Sequence, residues 1–151
     1  MRTTNDQVFV YGTLRKGGVR AVLRLFPAAP DLGPATLRGR IHDFGAFPGL
    51  EIDDHGGLVH GEVYGVVDGM LDAFDSIEAY WPNDYEASYY HRNRVFVALS
   101  DGQPLECWTY VFNPKHFPQR QLIASGDWIA HAAAKGPLPP ETWPDGDPIR
   151  K

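Results

Sequence analysis

The chain has 151 residues and a net charge of −5, from 14 Lys and Arg against 19 Asp and Glu. An acidic balance argues against nucleic acid as the main partner. The single cysteine excludes an internal disulfide, Cys-based zinc sites and Cys-X-X-Cys redox chemistry, and no apolar run approaches the roughly 18 residues of a membrane span.

The 16 Gly and 13 Pro are well above average usage of about 12% for the two together, and they predict short elements joined by many turns. The N-terminal residues, Met1-Arg-Thr-Thr-Asn-Asp6, lack the apolar core of a secretory signal, so a cytoplasmic protein is expected.

Val8 to Tyr11 reads as a buried first strand that ends at Gly12, followed by a loop at Lys16-Gly-Gly18. Ala21 to Phe26 reads as a short helix closed by Pro27, and the proline-rich stretch to Pro34 as a loop. Ala35 to Phe44 is a second strand, Gly45 to Leu50 a turn, and Leu58 to Val67 a third strand. Asp68 is the expected N-cap of a helix from about Gly69 to Tyr80. Tyr89 to Leu99 alternates as a long strand, and Asp101-Gly102 turns it into a hairpin with Leu105 to Phe112. Ser125-Gly-Asp127 precedes a last helix, Trp128 to Lys135, which Gly136 ends.

Strands outnumber helices and do not alternate with them regularly. The expected fold is α+β, built on a curled, barrel-like sheet rather than a doubly wound one. One domain over residues 1–136 is expected, with a proline-rich tail over residues 137–151.

Three clusters are candidates for chemistry. Tyr11-Gly12-Thr13-Leu14-Arg15 follows the first strand, where glycine allows close backbone approach and successive amides converge on an anion or carbonyl. The competing reading is an ordinary strand-ending turn. At about 100° per residue, Met70, Leu71, Phe74 and Ile77 form one apolar stripe, with Glu78 projecting among them and Asp72, Asp75 and Ser76 pointing more to the other side. A buried Glu78 becomes a better base near neutral pH. The alternative is a frayed last turn that reaches solvent or an arginine. Tyr89 to Arg94 is either an anion site or a solvated strand edge that pairs with Glu86 or the acidic helix, with Tyr90, Arg92 and Arg94 on one face. His60-Gly-Glu62 lacks the Pro-Cys-X-X-Cys partner of a zinc deaminase. The scattered histidines support no metal site, and Cys107 reads as a small buried hydrophobe.

Val8-Phe-Val-Tyr-Gly-Thr-Leu-Arg15, Phe47-Pro-Gly49, Val59-His-Gly-Glu-Val-Tyr64, Phe74-Asp-Ser-Ile-Glu78, Tyr90-His-Arg92 and Trp108-Thr-Tyr-Val111 occur in order. With Ser125-Gly-Asp-Trp128, this set resembles the gamma-glutamylcyclotransferase-like superfamily over roughly residues 7 to 130, in particular its small bacterial and gamma-glutamylamine members. The resemblance implies a small mixed β-barrel with flanking helices and a cavity, a substrate-holding backbone at Tyr11, Gly12, Thr13 and Leu14, and Glu78 as catalytic base. Ala79 stands where the family pattern has Gly. Tyr90 and Tyr110 are expected as cavity-lining hydroxyls.

The implied reaction is cyclisation of a small gamma-glutamyl amine or amide to 5-oxoproline, with no metal and no cofactor. The competing functions are a module that binds a small metabolite without turnover, and pathway-specific removal of a gamma-glutamyl protecting group.

Overall fold

The computed structural model describes residues 3–137 and residue 139. Its strands are β1 (Thr3–Val10), β2 (Asp31–Asp43), β3 (Pro48–Ile52), β4 (Gly57–Val67), β5 (Tyr90–Leu99) and β6 (Pro104–Phe112). The helices are α1 (Val22–Leu25), α2 (Met70–Ile77) and α3 (Trp128–Lys135). The strands run in the order β3-β2-β4-β1-β6-β5, and a further pairing of β2 with β5 closes a five-stranded barrel with β3 attached outside it. β1 and β6 are parallel and every other pair is antiparallel, so the barrel is mixed, as the family resemblance implied. No helix among the described residues is long and apolar enough to cross a membrane.

Strand periodicity divides the apolar residues into two layers. Phe9, Leu37, Ile41, Val59, Val63, Val95, Val97 and Cys107 fill the barrel, with Ile123 and Trp128 in the same cluster. Val8, Val10, Tyr64, Val66, Tyr110 and Phe112 face outward and are covered by Met70 and Phe74 of α2 and by Val22 of α1. Phe74 is fully buried there, a contribution of roughly 1.5–3 kcal/mol. Cys107 lies wholly inside the barrel, and burial pushes its thiol up to about 12.

Several expectations need correction. The stretch from Gly45 to Leu50 is not all turn, because Pro48 starts the edge strand β3, paired with Asp43 of β2. An edge strand tolerates proline at its first residue, where no ladder N–H is required. β2 begins at Asp31, inside the expected proline-rich loop, with a register shift between Asp31 and Gly33. The long helix contracts to Met70–Ile77, and its N-cap is Gly69, in the left-handed region at φ 80°, not Asp68. The last helix forms as expected: the Asp127 side chain accepts from Ala130 N–H at 3.1 Å, and Gly136 ends the helix at φ 86°. Most of the proline-rich tail lies outside the described residues.

Candidate active site

Strand β1 delivers the polar turn to the outer face of the barrel. At the strand's end, Arg15 N–H donates to Gly12 O at 3.0 Å, Arg20 N–H to Thr13 O at 2.9 Å and Val22 N–H to Leu14 O at 2.9 Å. These bonds use the turn's carbonyls and leave the N–H groups of Gly12, Thr13 and Leu14 out of the turn's own backbone bonding among the described residues. Arg15 ties the turn down: its guanidinium reaches Glu62 Oε2 at 3.0 Å and Asp127 Oδ1 at 2.9 Å. Glu62, itself buried, also accepts from Lys16 N–H at 3.1 Å and from Tyr64 O–H at 2.9 Å. The turn is thereby fixed to β4 and to the start of α3.

The turn borders a cavity with about 460 Å³ of empty volume, counting the space open to solvent at its mouth. Gly12, Thr13, Leu14, Glu78, Tyr90 and Tyr110 all contribute to its wall. Tyr11 does too, but its hydroxyl is committed elsewhere, donating to Tyr110 O at 2.8 Å and accepting from Leu50 N–H at 3.2 Å. Burial and the nearby Glu78 charge hold that phenol well above its usual range. The seven residues expected from the sequence thus converge. A Cβ on Gly12 would stand 2.7 Å from Pro48 Cγ, so this glycine is needed for close packing against the cavity-lining Pro48.

Glu78 is neither frayed nor fully buried. It is the C-cap of α2 and half-buried. Its own N–H bonds Phe74 O at 2.8 Å, while Ala79 N–H reaches Ser76 O at 3.2 Å and Tyr80 N–H reaches Asp75 O at 2.9 Å. This is a Schellman closure, which requires a left-handed residue one step past the cap. Ala79 takes that conformation at φ 53°. A methyl in the left-handed region costs roughly 1–2 kcal/mol. The Ala79 carbonyl accepts from Tyr89 N–H at 2.9 Å, which pins the helix end to the segment entering β5. The carboxylate is therefore held by backbone geometry at the cavity wall.

Asp75, expected on the side away from the apolar stripe, is buried. It accepts from Tyr110 O–H at 2.6 Å and from Arg92 Nη2 at 3.2 Å, and Arg92 Nε lies 3.0 Å from its Oδ1. Arg92 also covers the Trp108 ring at 4.8 Å. The Tyr89 to Arg94 segment therefore meets the acidic helix through Arg92, but it is not the solvated edge of that reading, because Tyr89, Tyr90 and His91 are buried. Its other proposed partner, Glu86, is taken by Lys115 at 3.1 Å. Burial, the bond to Asp75 and the charges of Asp75 and Glu78 all raise the Tyr110 phenol above its usual range.

Residues 8–130 match the profile of the family described as gamma-glutamyl cyclotransferase, AIG2-like. The chain belongs to this family. A putative gamma-glutamylcyclotransferase of Halalkalibacterium halodurans is 37% identical over 92 residues, covering 60% of this chain and 78% of that protein. The gamma-glutamylaminecyclotransferase of Bos taurus is 36% identical over 115 residues, covering 68% of this chain and 63% of its own length. Among solved structures, YkqA from Bacillus subtilis superposes with a TM-score of 0.67 at 26% identity, over 87% of this chain but only 42% of that longer protein.

Within this family frame, sequence reasoning missed Arg20, Phe47, Pro48 and Ile77 as wall residues. Phe47-Pro48 was visible as a matching motif, but nothing local showed that β3 carries it to the cavity. Arg20 had no signal, because its place depends on how the loop after Gly12 folds back through the Arg20-to-Thr13 bond. Among the described residues, no three His, Cys, Asp or Glu side chains converge as a metal centre needs.

Proposed function

We propose that the protein is a gamma-glutamyl cyclotransferase that releases 5-oxoproline from a small gamma-glutamyl amine or amide, with Glu78 as general acid and base. The observation that carries this reading is the placement of Glu78 by the α2 closure in the cavity wall that also contains the Gly12–Leu14 turn.

The substrate's α-nitrogen attacks its own γ-carbonyl carbon. A new C–N bond closes the five-membered ring, and the bond to the departing nitrogen breaks. The attacking nitrogen must shed a proton to present its lone pair, and the departing nitrogen must gain one. A single carboxylate near both performs the two transfers in turn. The amides of Gly12, Thr13 and Leu14 would hold the glutamyl portion in its folded conformer and stabilise the oxyanion that develops on the γ-carbonyl. The name of the Bos taurus relative supports a gamma-glutamyl amine as the substrate class.

The test is a panel of gamma-glutamyl amines, amides and protected amino compounds, with 5-oxoproline measured for wild type and Glu78→Gln. The isosteric amide keeps the shape and removes the proton acceptor, so turnover should fall by about 10²-fold or more with folding intact. A Glu78→Gln protein as active as wild type would remove Glu78 from this role. Binding without any 5-oxoproline across the panel would favour the metabolite-binding module instead.

A further inference from the structure

Glu62 is a buried carboxylate in the middle of the sheet, on β4 opposite Val10 of β1 and Pro34 of β2. One of its oxygens accepts from Lys16 N–H at 3.1 Å and from Tyr64 O–H at 2.9 Å, and the other faces Arg15 Nε at 3.0 Å. Arg15 Nη1 extends this network to Asp127 Oδ1 at 2.9 Å, the oxygen that caps α3 through Ala130 N–H. Desolvating two charges is costly, and well-packed apolar side chains in the place of a buried ion pair are often as stable. Stability alone therefore does not call for this network. What it supplies is a fixed backbone. Arg15 N–H donates to Gly12 O, and the next N–H, that of Lys16, is held by Glu62, so the curl that carries the Gly12, Thr13 and Leu14 amides is secured from Gly12 to Lys16.

Taking the gamma-glutamyl reading as its basis, we propose that Glu62 and Arg15 are positioning residues for turnover. By fastening residues 15 and 16 to β4 and to α3, they aim the Gly12, Thr13 and Leu14 amides at the oxyanion of the cyclisation step. Neither side chain belongs to the cavity wall, so both act only through the turn. An oxyanion donor has its full effect only when it already points at the developing charge, and a displacement of about 1 Å costs on the order of 100-fold in rate. The guanidinium is needed for its shape as well as its charge, because one planar fork spans Glu62 and Asp127, which an ammonium does not.

The test compares wild type with Glu62→Leu, Arg15→Lys and Val97→Ala, the last a void inside the barrel that destabilises without touching the turn. The kcat and KM for 5-oxoproline release from a gamma-glutamyl alkylamide are measured well below every unfolding midpoint. The scalar couplings of the Thr13 and Leu14 amides, which report φ, are measured by NMR on the same proteins. Glu62→Leu and Arg15→Lys should lower kcat by about ten-fold or more, with a smaller rise in KM, and should shift the couplings. Val97→Ala should keep the kcat and the couplings of wild type. A folded Glu62→Leu or Arg15→Lys protein with wild-type kcat, or with unmoved couplings, would overturn the proposal, as would an equal loss of kcat in Val97→Ala. If Glu62→Leu fails to fold, Arg15→Lys decides. Failure of wild type to release 5-oxoproline counts against the cyclotransferase reading, and the couplings still decide whether Glu62 and Arg15 set the turn.

Discussion

Replacing Tyr11 with Phe isolates what one hydroxyl does for the frame of the site. The ring, packed beside Phe9 with centroids 6.4 Å apart, is retained, so no cavity opens. What disappears is an oxygen that joins two strands: it donates to Tyr110 O of β6 at 2.8 Å and accepts from Leu50 N–H of β3 at 3.2 Å. Both partners belong to buried residues. Each stranded group costs roughly 1–3 kcal/mol, and the longer Leu50 contact belongs at the low end, so the expected loss is about 2–4 kcal/mol. For a domain of this size that is a fall in Tm of roughly 4–16 °C. Urea denaturation should show a lower midpoint with an unchanged slope, and the Leu50 amide should lose protection from hydrogen exchange. A loss below about 0.5 kcal/mol would refute the idea that this hydroxyl clamps β3, and with it Pro48, to the barrel.

Three further outcomes are expected. Arg15→Leu should destabilise by about 3 kcal/mol, the low end for breaking a buried ion pair, because Glu62 keeps two other donors. Glu62→Gln added to that variant should restore part of the loss, and full additivity of the two changes would refute the coupling. Gly12→Ala drives a methyl into Pro48 and should cost about 1–3 kcal/mol as well as activity. Adding Pro48→Ala, which removes the clashing atoms, should return most of the stability, and urea midpoints of the two single variants and the double variant check it.

The fourth expectation concerns alkaline pH. Tyr11, Tyr64, Tyr110 and Cys107 are all held protonated by burial in the folded state. The unfolded chain sheds these protons from about pH 8.5 for the thiol and about pH 10 for the phenols. The native state then binds more protons, so stability falls as pH rises, by roughly 1.4 kcal/mol per pH unit for each group titrated only in the unfolded chain. A urea midpoint that stays constant from pH 8 to 11 would contradict this.

The order of strands and helices could be read locally because it rests on short-range rules. Two-residue alternation marks β4 and β5, Asp127 and Gly136 bracket α3, and Asp101-Gly102 turns the β5–β6 hairpin. The polar turn at Tyr11 to Leu14 and the carboxylate at Glu78 were also visible, since each is an exception within an apolar pattern.

Tertiary structure decided the rest. Pro48 and Gly49 have poor strand propensity, and β3 exists because β2 pairs with it and the hydroxyls of Tyr11 and Tyr90 hold it. Helical spacing alone set Asp75 on the side away from the apolar stripe, whereas the folded chain brings Arg92 and Tyr110 to it from 17 and 35 residues away. A charge is buried only where a distant partner compensates it, and no local window contains that partner. The sequence by itself thus determined which groups are available for chemistry. Only barrel closure determined which of them face one cavity.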